Sequence, residues 1–246
     1  MKKYNHFLLA VTFIVGIQFS TLAQGPFSLG LKAGVSIPNL KSSGSNPLDK
    51  GWESRSGPYF GIVAMYALSD NFALTSELNF SSQGGKRIGA QAIPNPNTPP
   101  IPTYLYASFK NVAVINYAEV PIMLNYKINL GGPVHIDIQG GLYGGLLLRA
   151  KNVSSGQSEV YLDEALTIPV SPSQSFDHTT NIKNDLKSFN YGVQFGAGAG
   201  YDFHSSTLRL IAGGNYGLTT IQKDKANGDD HTGALTVSLA YLINLK

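Results

Sequence analysis

Seven charged residues stand inside otherwise regular stretches of this chain: Lys32, Glu77, Glu119, Lys127, Asp137, Arg149 and Arg209. Each falls on the side opposite a row of apolar side chains, so all seven are expected to share one enclosed space. Three acids and four bases confined there would pair, because an ion buried without a partner costs about 3–5 kcal/mol. Such a set has two uses. It can line a gated path for ions or solutes, or it can fill the space as a plug of ion pairs. The plug is the reading adopted, because the enclosure derived below leaves little free lumen.

The other reactive groupings lie between the regular stretches. His178 stands beside Asp177, and His231 beside Asp229 and Asp230. Acid–histidine neighbours could supply general acid–base chemistry at a rim, but a serine nucleophile needs both partners in reach, which adjacency in sequence does not establish. The run Asp224-Lys225-Ala226-Asn227-Gly228-Asp229-Asp230 offers oxygen ligands and a turn, without the ordered spacing of a calcium loop. The chain has no cysteine, which removes disulfides and thiolate metal sites. These groups are read as solvated loop charges. The expectation is a non-enzymatic protein with no cofactor and no metal.

The elements that must position the charges are eight stretches of alternating apolar and polar or small residues, at about 27–36, 60–68, 72–80, 113–128, 134–150, 189–201, 208–216 and 235–245. Period-two alternation marks strands with one apolar face. The connections at 69–71, 129–133 and 204–206 are short. Those following the first, third, fifth and seventh strands are long, with 81–112 and 151–187 the longest. Pro94, Pro96, Pro99, Pro100 and Pro102 place 81–112 outside the sheet, since proline cannot donate to a ladder.

A leader precedes all this. Lys2 and Lys3 open it, 7–19 is almost unbroken apolar sequence, and Thr21-Leu22-Ala23 puts small residues where a signal peptidase reads, with cleavage between Ala23 and Gln24. The apolar run falls short of the roughly 20 residues of a spanning helix. The expected division is 1–23 signal peptide and 24–246 barrel domain; with no cysteine after the leader, a lipid anchor is not expected. Loss of Lys2 and Lys3 lowers the formal charge from +3 to +1, so nucleic acid has no electrostatic footprint here.

Even strand number, short turns at one end, long loops at the other and an export leader fit an all-β, closed, antiparallel, eight-stranded up-and-down transmembrane β-barrel of a bacterial outer membrane. A soluble sandwich would also alternate, but three features favour lipid outside. Aromatic residues gather toward both ends of the apolar face: Phe27, Tyr66, Phe72, Tyr126, Tyr201 and Tyr241 at the short-turn end, Phe60, Phe80, Phe189, Tyr191 and Tyr216 at the other. The opposite face is rich in glycine. The apolar face carries essentially no charge, and a basic residue there would cost roughly 2–4 kcal/mol at mid-membrane.

The segment Tyr117-Ala118-Glu119-Val120-Pro121-Ile122-Met123-Leu124-Asn125-Tyr126 resembles the Tyr-x-Glu-Ile/Val-Pro-Leu/Ile-x-x-x-Tyr strand of PorT-like outer-membrane β-barrel proteins. The stretch 29–36 is similar to their opening strand, and Glu77-Leu78 with Ser82-Gln83-Gly84-Gly85 to the region after their first hairpin. Asn125 stands where a lysine commonly precedes the tyrosine, with Lys127 two places on. The resemblance implies an outer-membrane barrel, and members of that family are associated with a protein secretion machinery. The expected role is structural or interactive, accessory to secretion or surface assembly. A small-solute conduit is the alternative, and a lipid- or peptide-modifying enzyme comes third. Expected partners are outer-membrane lipid, the barrel-assembly machinery, and other outer-membrane or secreted proteins met through the long extracellular loops.

Overall fold

A computed structural model describes residues 27–42, 47–95, 103–224 and 229–245. The expected cleavage site at Ala23 and Gln24 lies outside the described residues. The strands are β1 (Phe27–Ser42), β2 (Gly57–Ala67), β3 (Phe72–Pro94), β4 (Tyr104–Asn129), β5 (Val134–Ser155), β6 (Gln157–Tyr161), β7 (Pro169–Ser175), β8 (His178–Asn181), β9 (Phe189–Asp202), β10 (Ser206–Gly217) and β11 (Asp230–Leu245).

Eight of them form a ring of antiparallel hydrogen bonds in the order β1, β2, β3, β4, β5, β9, β10, β11 and back to β1. The ring closes where Phe27 faces Leu245 and the pairing continues to Ser42 opposite Asp230. The chemistry behind closure is general: a sheet without edges leaves no backbone donor or acceptor exposed to a solvent that cannot bond it.

The alternation in the sequence becomes two surfaces. Leu31, Ile62, Leu78, Ile122, Leu142, Phe195, Leu210 and Leu239 point outward, and each is about half exposed or more. Between them Tyr59, Glu77, Asn79, Glu119, Met123, Asp137 and Arg209 are buried. An exterior this apolar far exceeds what water tolerates on a monomer. Aromatic pairs mark its margins: Phe60 stacks on Phe80 at 5.0 Å at the long-loop end, and Phe72 meets Tyr126 at 4.9 Å at the short-turn end.

The long connections depart from expectation. The stretch 81–112, read as loop, is mostly strand: β3 and β4 pair without interruption from Ser82 opposite Asn116 to Pro94 opposite Tyr104. The prolines that suggested a loop crowd into 94–102, so nothing before Pro94 interrupts the ladder. Likewise 151–187 is partly sheet. β6 adds to β4, β7 to β6, and β8 to β5. A small sheet therefore rises beyond the barrel at its long-loop end.

Candidate functional site

The enclosed lumen is where the side chains converge, and its contents change with depth. At the short-turn end Lys127 Nζ lies 2.5 Å from Asp202 Oδ2. The same Asp202 oxygen is 3.3 Å from His135 Nδ1, and His135 Nε2 is 3.3 Å from Asp137 Oδ2. Arg209 Nε donates to Asp137 at 2.8 Å while its Nη2 donates to Asn125 Oδ1 at 2.8 Å. One chain of polar contacts thus runs from β4 through β9 and β5 to β10. Gly200 makes room for it: a Cβ built there would sit 2.1 Å from His135 Nε2, so any larger residue displaces the imidazole.

Higher up, Lys32 on β1 pairs with Glu77 on β3. Asn79 Nδ2 donates to the same Glu77 oxygen at 2.7 Å, and Lys32 Nζ donates to Tyr59 OH at 3.1 Å. Gln194 reaches Tyr59 OH from the far wall at 3.5 Å. Above this level Glu119 has no cation within 4.0 Å among the described residues. It accepts instead from Gln83 Nε2 at 3.1 Å and Asn215 Nδ2 at 3.2 Å. One amide comes from β3 beside it and the other from β10 across the lumen.

The long-loop end is shut by apolar side chains. Leu40, Ile115, Tyr117, Leu147, Leu186 and Ile221 form one buried cluster, with Trp52 and Ile182 packed against it. Arg87 lies over the Trp52 ring at 4.5 Å and donates to Leu48 O at 2.7 Å, so a segment of the β1–β2 connection is held across the opening. The free space that remains at the short-turn end is a cavity of about 520 Å³ lined by Lys127, His135, Asp137, Asp202 and Arg209. It ends at the Asp137–Arg209 pair.

Of the seven charges singled out in the sequence, the structure gathers Lys32, Glu77, Glu119, Lys127, Asp137 and Arg209 around the lumen. Arg149 is not among them. Expected inward, it is exposed on the outer surface. The cause is a β-bulge: Tyr117 pairs with Leu147 but Asn116 pairs with Arg149, leaving Leu148 as an extra residue. One inserted residue reverses the parity of everything after it, so Arg149 turns outward and Ala150 takes the inward place at 1% exposure. Two members were missed. Asp202 and His135 complete the lower cluster, and both have the inward parity of their strands, Asp202 with Gln194 and Gly200, and His135 with Asp137.

The histidines of the loops are not assembled into a site. His178 is exposed on β8, and Asp177 accepts from Gly156 N, in the turn between β5 and β6, at 3.0 Å and from Ser175 Oγ at 3.1 Å. His231 stacks on Tyr216 and its Nδ1 lies 3.0 Å from Gly217 O. Among the described residues no group of three His, Asp or Glu side chains is placed to hold a metal ion.

A family model described as outer membrane protein beta-barrel domain matches residues 3–223. No curated protein matches the chain. Solved structures similar to it include Ail, the attachment invasion locus protein of Yersinia pestis, at 15% identity over 89% of this chain and 100% of that one, TM-score 0.38. Neisserial surface protein A is similar at 14% identity over 86% and 95%, TM-score 0.38. OprG from Pseudomonas aeruginosa is similar at 9% identity over 89% and 94%, TM-score 0.40. At such identities and scores these likenesses bear on no residue and no activity.

Proposed function

Because the chain belongs to the outer membrane protein beta-barrel domain family, we propose that it serves in the outer membrane as a closed, non-conducting and non-enzymatic barrel. It works by presenting the sheet that rises from β3, β4, β6 and β7. The observation that carries this reading is the filled lumen. Two charged levels, an amide-held carboxylate and an apolar cap follow one another along the axis. Eight strands enclose only enough space for side chains, and these side chains use it. What can meet another molecule is the projecting ribbon. The likeness of Tyr117 to Tyr126 to PorT-like proteins supports a partner in secretion or surface assembly. It is equally in keeping with insertion by the barrel-assembly machinery and export through a leader cleaved after Ala23.

A small-solute conduit is the second reading, favoured by the cavity of about 520 Å³ at the short-turn mouth. Planar-bilayer recording separates the two. The refolded protein is expected to show no unitary conductance. Steady channels that disappear when Lys32 and Glu77 are replaced by bulkier side chains would establish the conduit and end the closed-lumen reading. Photo-cross-linkers placed at Ile88 and Tyr104 should then capture a protein neighbour in native membranes.

A further inference from the structure

The bulge that expels Arg149 does more than remove it from the lumen. Phe80, Ala118 and Leu146 stand side by side as one outward apolar row, with Phe189 paired to Leu146. The next row is Ser82, Asn116 and Arg149, in which Ser82 is buried beneath Arg55 and Arg149 is exposed. Beyond it lie Gly84, Val114 and Lys151, and two rows further Ile88 and Lys110. Successive rows are about 7 Å apart along the strand. Cations therefore begin one row above the aromatic margin of the lipid-facing band, on the same surface.

Lys183 joins them. Its Nζ donates to Leu148 O at 2.9 Å, which brings a further ammonium to the bulge. Among the described residues none of Arg149, Lys151, Lys110 and Lys183 has a carboxylate within 4.0 Å, whereas Lys86 has Glu53 at 3.8 Å. The sequence sharpens the point. The strand extensions 82–94, 104–116 and 149–155 contain five Lys or Arg residues and no Asp or Glu. An ordinary solvated surface mixes the two signs. Arg55 adds order at the base by donating to Ser82 Oγ at 2.7 Å and Gln83 O at 2.6 Å.

We propose that this outward cationic face, Arg149 and Lys151 on β5 with Lys183 beside them, binds the phosphorylated head group of an outer-leaflet glycolipid. The surface is continuous with the acyl-chain contact, so the occupant is one whose anionic group lies directly above its own chains. Guanidinium and ammonium groups free of internal acids are suited to phosphate oxygens. The proposal needs only the barrel and its membrane, not the role assigned to the ribbon.

The test is native mass spectrometry on the refolded chain, offered bisphosphorylated lipid A and its dephosphorylated form in equal amounts. The wild type is expected to retain the bisphosphorylated form. The triple variant Arg149→Gln, Lys151→Gln and Lys183→Gln should lose this preference, by roughly fivefold per cation and on the order of a hundredfold together. Should that variant refold poorly, raising the salt to about 0.5 M should abolish the preference in the wild type, since screening acts on exposed charges. Equal retention of both lipids by the wild type, or an undiminished preference in the variant or in salt, would overturn the assignment. So would soluble polyglutamate that stays bound in lipid A vesicles, because the face would then serve an acidic polypeptide.

Discussion

The Lys32–Glu77 pair sets a quantitative demand on the lumen. Both side chains are almost completely enclosed, at 2% and 1% exposure, so removing either partner strands a charge where water cannot reach it. Lys32→Met leaves Glu77 with only the Asn79 amide as a donor; Glu77→Gln leaves the ammonium with neutral acceptors alone, the Tyr59 hydroxyl and the new amide oxygen. Each is expected to destabilise the barrel by about 3–5 kcal/mol. Replacing both removes the charges together, and Asn79 retains Tyr59 OH as an acceptor at 3.0 Å. The double variant should therefore cost only about 1 kcal/mol, giving a coupling of several kcal/mol. Urea titration of the folded protein in vesicles, followed by tryptophan fluorescence and gel mobility, reads this directly. At a slope near 3 kcal/mol/M the single variants should shift the midpoint down by roughly 1–1.7 M. Single variants that cost less than about 1 kcal/mol, with a double variant equal to their sum, would refute the argument, because the pair would then be hydrated and the lumen open.

Two further perturbations probe other surfaces. Ile122→Arg, on the outward face of β4 at 55% exposure, should destabilise the barrel in bilayers by about 2–4 kcal/mol; an effect that vanishes in vesicles would mean the face does not meet hydrocarbon. At the hairpin between β6 and β7, slight desolvation pushes the Asp163 carboxyl up, but bonds from Thr167 and the Ile168 N–H outweigh it and hold the group below its ordinary value. A lowered carboxyl gives stability that is present above the unfolded value and lost as pH falls through the folded one. Amide exchange at Thr167 and Ile168 should therefore accelerate only on acidification below about pH 4, and Asp163→Asn should remove the dependence.

The ring was legible in the sequence because lipid and lumen impose a period of two on every strand; Leu239 and Ile122 face outward as their positions require. Arg149 was not legible. A bulge adds one residue without altering composition, and Leu147-Leu148 reads equally well with either leucine inside. The projecting ribbon was hidden for a different reason. From Ser82 to Ile93 its glycines and polar residues alternate weakly, because no hydrocarbon lies beside it to demand contrast. The partner of Lys127 was missed because Asp202 sits at the last position of its strand, where strand and turn are hard to separate. Glu119 was expected to find a base, yet the choice between amide and cation depends on which side chains meet it across the lumen, and that is set by register and not by local sequence.

The seam between β1 and β11 carries a consequence for how the molecule is made. Every hydrogen bond in it joins residues near the start of the barrel to residues near its end, from Phe27 with Leu245 to Ser42 with Asp230. Contacts so remote along the chain form late and slowly. Until the last strand has crossed the periplasm, β1 keeps a bare row of amides and carbonyls through the whole of export. A polypeptide stalled before Asp230 would present that row to any neighbouring strand, its own sisters included. The first strand thus stays open to misplaced pairing until its proper mate arrives.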